Sequence, residues 1–254
     1  MFRPRIIPVL LLKNRGLVKS VKFKNYRYVG DPINAVRIFN DLKADELVFL
    51  DITATKERKL ISLDFVQNVG EEAQMPFAAG GGISSLEDIR SVIRAGAEKV
   101  IINSYAVRNP GFIRQAADTF GSSTIVVCID VKKNLFGKQF IYIESGRKPA
   151  RYHPVEFAQL MQENGAGEII VQSIDYDGTM NGYDINLIRS VADAVTIPVI
   201  ALGGAGNLEH LKLAYFEGHA HGLAAGSIFV FQGNQRGVLI NYPDKSVIKS
   251  TFSI

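Results

Sequence analysis

The sequence predicts a single (β/α)8 TIM barrel over residues 1–254, and three observations predict it. Short apolar runs alternate with amphipathic stretches along almost the whole chain, giving eight strand-to-helix steps rather than the five or six of an open sheet. An internal repeat divides the chain near its middle. Shifted by 122 positions without a gap, 76–105 lies over 198–227, with Pro76 on Pro198, Gly81-Gly82 on Gly203-Gly204 and Gly96 on Gly218. Finally, 47% hydrophobic and 21% charged residues supply one large core, and no linker or low-complexity segment interrupts them.

Taken in order, 5–12 (RIIPVLLL) reads as a buried strand, and 13–29 as a long basic loop with a possible hairpin. A helix from an Asp-Pro start covers 31–41, followed by strand 46–52 and helix 62–72. Strand 77–79, helix 85–96, strand 99–102 and helix 110–120 complete the first half-repeat, about 5–120. The second, about 125–231, carries strand 125–130, a hairpin-like 138–144, helix 154–164, strand 168–173 and helix 184–195. It ends with strand 198–202, helix 207–217 and strand 222–225. The tail predicts a short helix and offers a poor candidate for an eighth full one.

Composition also excludes several functions. No apolar run reaches the ~18–20 residues of a membrane span, and the first 16 residues make an unconvincing signal peptide, so the chain reads as cytoplasmic with no membrane partner. The lone Cys128 sits in an apolar strand pattern, as a small core residue does. Residues 1–30 hold eight basic side chains and no acidic one, although the net charge is only +4. Without a nucleic-acid motif or zinc spacing beside it, that basic start fits an anionic small molecule, with no metal and no cofactor.

In both repeats a glycine pair follows an apolar run and precedes a helix, where outward backbone N–H groups attract anions. The bland alternative is that glycine only supplies positive φ. Each copy adds a second small turn, Asn103-Ser104 and Gly226-Ser227, so two phosphate-binding sites are expected from Gly81, Gly82, Asn103, Ser104, Gly203, Gly204, Gly226 and Ser227, with Gly178 beside them. Polar residues at strand ends are the candidates for chemistry: Asp51, Asn103, Asp130, Ser173, Asp175 and Asp177. Asp130 is the catalytic candidate, because it ends the apolar run IVVCID and needs either a partner, for which Lys132 is at hand, or a use. Asp177 and Asp51 are supporting candidates that could equally cap their own loops.

The strings DELVFLDITAT (45–55), AAGGGI (78–83), VIINS (100–104), GAGEIIVQSIDYDGT (165–179), GYD (182–184) and ALGGAGNLEH (201–210) resemble the cyclase subunit of imidazole glycerol phosphate synthase. The resemblance runs from residue 5 to about 231. It implies a heterodimer with a glutaminase docked at the N-terminal face of the barrel, and ammonia entering through a charged gate of one Arg, one Lys and two Glu. Their matches are Arg5, Glu46, Lys99 and Glu168. A salt bridge at the strand starts is the plainer reading of the same four.

One departure matters. The family carries a second acid at the end of its first strand, whereas here 6–13 lies over 125–132 with Leu11 opposite Asp130. Leucine moves no proton. That loss, with PVLLLKNRGLVKSVKFK, resembles a branch associated with acetamidino-sugar formation for surface polysaccharides such as lipopolysaccharide. The resemblance implies ammonia delivered to the N-acetyl group of a nucleotide sugar, with Lys19 near its phosphates. Amide activation normally uses ATP, yet no G-x-x-x-x-G-K-[ST] occurs, so a separate ATP-dependent sugar amidotransferase is expected as a further partner. Two other functions stay open: the histidine-pathway cyclase itself, and a non-catalytic scaffold between glutaminase and amidotransferase.

Overall fold

The computed structural model describes residues 3–233 and 235–253, leaving 1, 2, 234 and 254 outside the described part. Eight parallel strands close on themselves. They are β1 (Arg5–Lys13), β2 (Leu47–Asp51), β3 (Phe77–Gly80), β4 (Lys99–Ile102), β5 (Ile125–Lys133), β6 (Glu168–Ser173), β7 (Val199–Leu202) and β8 (Gly222–Ala225). Each pairs with its successor, and β1 pairs with β8 from Arg5↔Gly222 to Pro8↔Ala225. The chain is therefore a (β/α)8 barrel.

Eight helices surround it: α1 (Pro32–Asp41), α2 (Leu63–Glu72), α3 (Leu86–Arg94), α4 (Gly111–Phe120), α5 (Pro154–Glu163), α6 (Ile185–Ala192), α7 (Leu208–Phe216) and α8 (Lys245–Phe252). Their starts follow from sequence: Asp31, Ser62, Ser85, Asp184 and Asn207 each accept a backbone N–H as N-cap. The eighth helix, for which the tail offers only a poor pattern, does form. Ile248 and Phe252 are buried one turn apart, and Phe252 meets Tyr215 of α7 edge-on at 5.6 Å.

Strand alternation splits the core into two shells. Outward residues meet the helices, while Ile7, Val9, Val48, Ala78, Ile101, Val126, Cys128, Ile170, Ile200 and Ala224 fill the lumen. The same parity places Arg5 below Ile7 on β1 and Leu11 above Val9. It decides which strand-end side chains can face a ligand.

The basic stretch after β1 forms the hairpin that the sequence left possible. Gly16–Val21 pairs back on β1 (Leu11↔Val18) and Lys24–Gly30 pairs with Gly16–Val21. Both turns are tight, with Asn14 and Arg15 at φ 51 and 66 and Lys22 and Phe23 at φ 53 and 60. The left-handed Phe23 is held by what it touches: its ring edge would stand 3.1 Å from a Cβ on Gly146. A second hairpin strand, Gln139–Ile143, extends β5 in antiparallel fashion.

Candidate functional site

The C-terminal ends of the strands open into a cavity of about 470 Å³. Asp130 stands on its floor, 7% exposed, with the Cys128 thiol donating to its Oδ1 at 3.8 Å. Burial is the main reason its pKa rises from 3.8 to about 7, opposed by the Asn103 amide and aided by the charge of Asp177. Lys132 does not neutralise it, since that ammonium lies over the Tyr142 ring at 5.6 Å. A carboxyl group that titrates at neutrality and faces a cavity can give or take a proton there.

Lys19 reaches the same space. Its Nζ, buried, donates to the Val9 carbonyl, and burial lowers its pKa from 10.5 to about 8 against the pull of Asp177. Asp177 is half-buried and accepts from Ser20 Oγ and Gln172 Nε2, both at 3.1 Å. Burial raises its pKa, and the Ser20 hydroxyl and Lys19 ammonium hold the rise down. Through Ser20 and the Lys22 N–H, which donates to the Asp177 carbonyl at 2.9 Å, the hairpin is tied across the mouth. Leu11 and Leu50, cross-strand neighbours, also line the cavity.

Asp51 serves its own loop. Its Oδ1 accepts from Thr53 N, Thr53 Oγ1 and Ala54 N at 2.9, 2.8 and 3.1 Å, starting the short helix Ala54–Glu57. Ser173 and Asp175 are corrections, because neither lines the cavity: Ser173 is on the outer parity of β6, and Asp175 accepts from Lys133 N at 2.8 Å. The lumen-facing group of that strand end is Gln172, in register with Asp130. Counting alternation from Ile170 would have found it.

Both glycine turns line the cavity, as do Asn103, Ser104, Gly178, Gly226 and Ser227. Glycine is required sterically at several of them. A Cβ on Gly82 would lie 1.9 Å from the Lys59 carbonyl, and one on Gly204 2.0 Å from the Gly182 carbonyl, with φ at +73 and +115. Two short helical turns, Ser104–Arg108 and Ser227–Phe229, begin at the second small turn of each repeat without a side-chain cap. The Ser104 hydroxyl is already engaged, donating to Asn103 Oδ1 and accepting from Glu144 N, both at 3.0 Å. Arg58, Lys59, Arg108, Phe23 and Tyr26 also reach the cavity, from turns and edges whose position no periodicity in the sequence reveals.

At the opposite end of the barrel Arg5, Glu46, Lys99 and Glu168 form a closed ring. Arg5 bridges Glu46 and, at 2.8 Å, Glu168; Lys99 bridges the same two carboxylates at 3.3 and 3.0 Å. Glu168 Oε2 is buried without a hydrogen-bond partner. Between ring and cavity the lumen is apolar, from Ile7, Val48 and Ile170 up to Val9 and Leu202. Among the described residues no helix is long and apolar enough to cross a membrane.

Comparison with known proteins agrees with this architecture over its full length. A Pseudomonas aeruginosa protein named "Putative imidazole glycerol phosphate synthase subunit hisF2" is 46% identical over 244 residues, 96% of this chain and 97% of its own. Leptospira borgpetersenii has a "Putative imidazole glycerol phosphate synthase subunit HisF" 45% identical over 245 residues, 96% of each chain. A Vibrio vulnificus protein with the same name ending in hisF3 is 42% identical over 255 residues, 100% of this chain and 98% of its own. With residues 5–235 also matching the family described as "Histidine biosynthesis protein", the chain belongs to that family and, within it, to the relatives of the HisF subunit.

Proposed function

We propose that this chain is an ammonia-using synthase subunit that works with a glutaminase on its N-terminal face. Ammonia released there enters past the Arg5–Glu46–Lys99–Glu168 ring, crosses the apolar lumen and emerges beside Asp130. The observation that carries the reading is an apolar barrel core with a charged ring at one end and a neutral-range carboxyl group facing a cavity at the other. An uncharged molecule crosses an apolar passage; ammonium does not.

The acceptor is the N-acetyl group of a nucleotide-linked sugar, held through the glycine turns. Its amide oxygen is first phosphorylated by an ATP-using partner. The ammonia nitrogen then bonds the amide carbon, the activated oxygen leaves within phosphate, and one ammonia proton passes to Asp130, giving an amidine. Leu11 supports this acceptor over a ribonucleotide cyclisation, because it removes the second carboxylate that ring closure uses. One observation favours the cyclase reading instead: Lys19, with a pKa near 8, stands in the same mouth as Asp130 and supplies a second titrating group.

Reconstitution with the glutaminase tests the ammonia route. Lys99→Ala should impair glutamine-driven amidine formation at least tenfold while turnover with added ammonium falls far less. A parallel fall in both, with the fold intact, would remove the route from consideration.

A further inference from the structure

The two hairpins at the C-terminal end of the barrel concentrate the positive charge of the molecule. Residues 13–30 carry six basic side chains and no acidic one, and 131–152 carry six basic and one acidic, so together they are net +11 while the rest of the chain is net −7. The hairpins are neighbours, since the Phe23 ring reaches the Gly146 turn. A ligand in the cavity does not account for this charge. Arg15, Lys22, Lys24, Lys138, Arg147 and Arg151 are exposed, and none of them lines the cavity. Lys133 and Lys148 pair with Asp184 and Glu144, but those six have no ion-pair partner among the described residues.

The second hairpin ends in an apolar tip. Leu135 and Phe136 are 102% and 88% exposed, more than any other large apolar side chain among the described residues. The turn that presents them is fixed by its own contacts: Asn134 Oδ1 accepts from Phe136 N and Lys138 N, both at 2.9 Å, and Gly137 takes φ +77. A turn that only joined two strands would be served by polar residues there. Lying past the Lys133↔Gln139 pair, the tip projects beyond the end of β5. Tyr28, 65% exposed, adds an aromatic ring on the first hairpin.

We propose that this end of the barrel docks on an anionic lipid surface, with Leu135 and Phe136 entering the boundary between headgroups and acyl chains and the unpaired cations meeting lipid phosphates. Such a bilayer offers negative charge over its whole plane and an apolar layer just beneath, and cations spread around a protruding apolar tip match that arrangement. A second copy of the chain meeting the same face would bring positive charge against positive charge. The expectation of no membrane partner rests on the lack of a spanning run, which bars crossing a bilayer and not resting on one. The docking is independent of the ammonia route and of the acceptor.

Sedimentation of the purified chain with vesicles tests it. Vesicles of equal parts phosphatidylcholine and phosphatidylglycerol should bind the chain at least tenfold tighter than phosphatidylcholine alone, and added salt should release it. Replacing both tip residues, Leu135→Ser with Phe136→Ser, should weaken binding at least tenfold and leave the thermal melt unchanged, because the tip packs against nothing. Lys138→Glu and Arg151→Glu should each weaken it about fivefold or more. Equal binding to both kinds of vesicle, or binding unchanged by the tip substitutions, would overturn the docking. So would a dimer, seen by analytical ultracentrifugation, that the tip substitutions dissolve, which would give the face to a second copy. Absence of binding to the anionic vesicles would overturn it too, and leave an acidic protein surface as the occupant.

Discussion

Replacing Asp130 by asparagine should lower activity and raise stability at the same time. Burial moves the Asp130 pKa from 3.8 to about 7, roughly three units, and each unit corresponds to about 1.36 kcal/mol. Because the folded-state value is the higher one, the folded protein holds this proton more tightly than the unfolded chain does. Stability is therefore fully present below pH ~4, declines as pH rises, and has lost about 4 kcal/mol once pH passes 7. About one unit of that window lies below pH 5, so about 2–3 kcal/mol should be lost between pH 5 and pH 8. Asparagine keeps the volume and never ionises. Urea unfolding of both proteins at the two pH values should show the stability gap widening by that amount in favour of Asp130→Asn. In the reconstituted complex the parent rate should climb with pH and level off near 7, as expected of a base. The variant should be flat with pH and slower by about 10²-fold or more. A stability gap that does not change with pH would refute the buried-carboxyl argument, and near-parental activity would refute the catalytic one.

Three further expectations concern the same mouth. Leu11→Asp should increase formation of imidazole glycerol phosphate from the histidine-pathway ribonucleotide, measured by absorbance, because it restores a second carboxylate beside Asp130; rapid cyclisation by the unmodified protein would instead promote the cyclase reading. Ser20→Ala removes a donor that holds the Asp177 pKa down, so that carboxyl group should titrate at higher pH in a carbon-detected NMR experiment, and an unchanged titration would mean the hairpin contact does not persist in solution. Gly82→Ala forces a Cβ to within 1.9 Å of the Lys59 carbonyl at a left-handed φ, and should cost at least ~1–3 kcal/mol and weaken phosphate-ester binding by calorimetry; parental stability would show that the turn relaxes freely.

The barrel was legible because its signals are local and repeated. Each strand is a short apolar run, most helices start at a capping residue, and the gap-free offset of 122 positions pairs the two halves. The closing helix was not, since α8 keeps only Ile248 and Phe252 as an apolar stripe and depends on α7 to bury it. The hairpin after β1 was legible only as a possibility within a long basic loop, because its second strand is mostly exposed and makes no apolar run. Its order comes from pairing on the adjacent β1 and from contacts with Asp177 and Gly146, residues more than 100 positions away. At the site, Asp130 stood out as a charge in an apolar run. Gln172 was missed in favour of Ser173 because a strand end tells which residues are near the mouth, while only parity tells which face it.

Alternation also separates the glycine turns at the mouth from the inward side chains below them. The glycine turns lie in loops beyond the strands, where positive φ and close approach to backbone carbonyls such as those of Lys59 and Gly182 fix them. Leu11 on β1 and Asp130 on β5 are inward residues near the strand ends, above the apolar layer of the lumen. Leu11 packs against that layer, and without a carboxylate there Asp130 is spared a like charge that would push its pKa higher still. Asp177, whose charge raises the Asp130 pKa, is the carboxyl group that also acts on Lys19 of the hairpin. The inward positions can therefore change while the backbone of the glycine turns stays as it is.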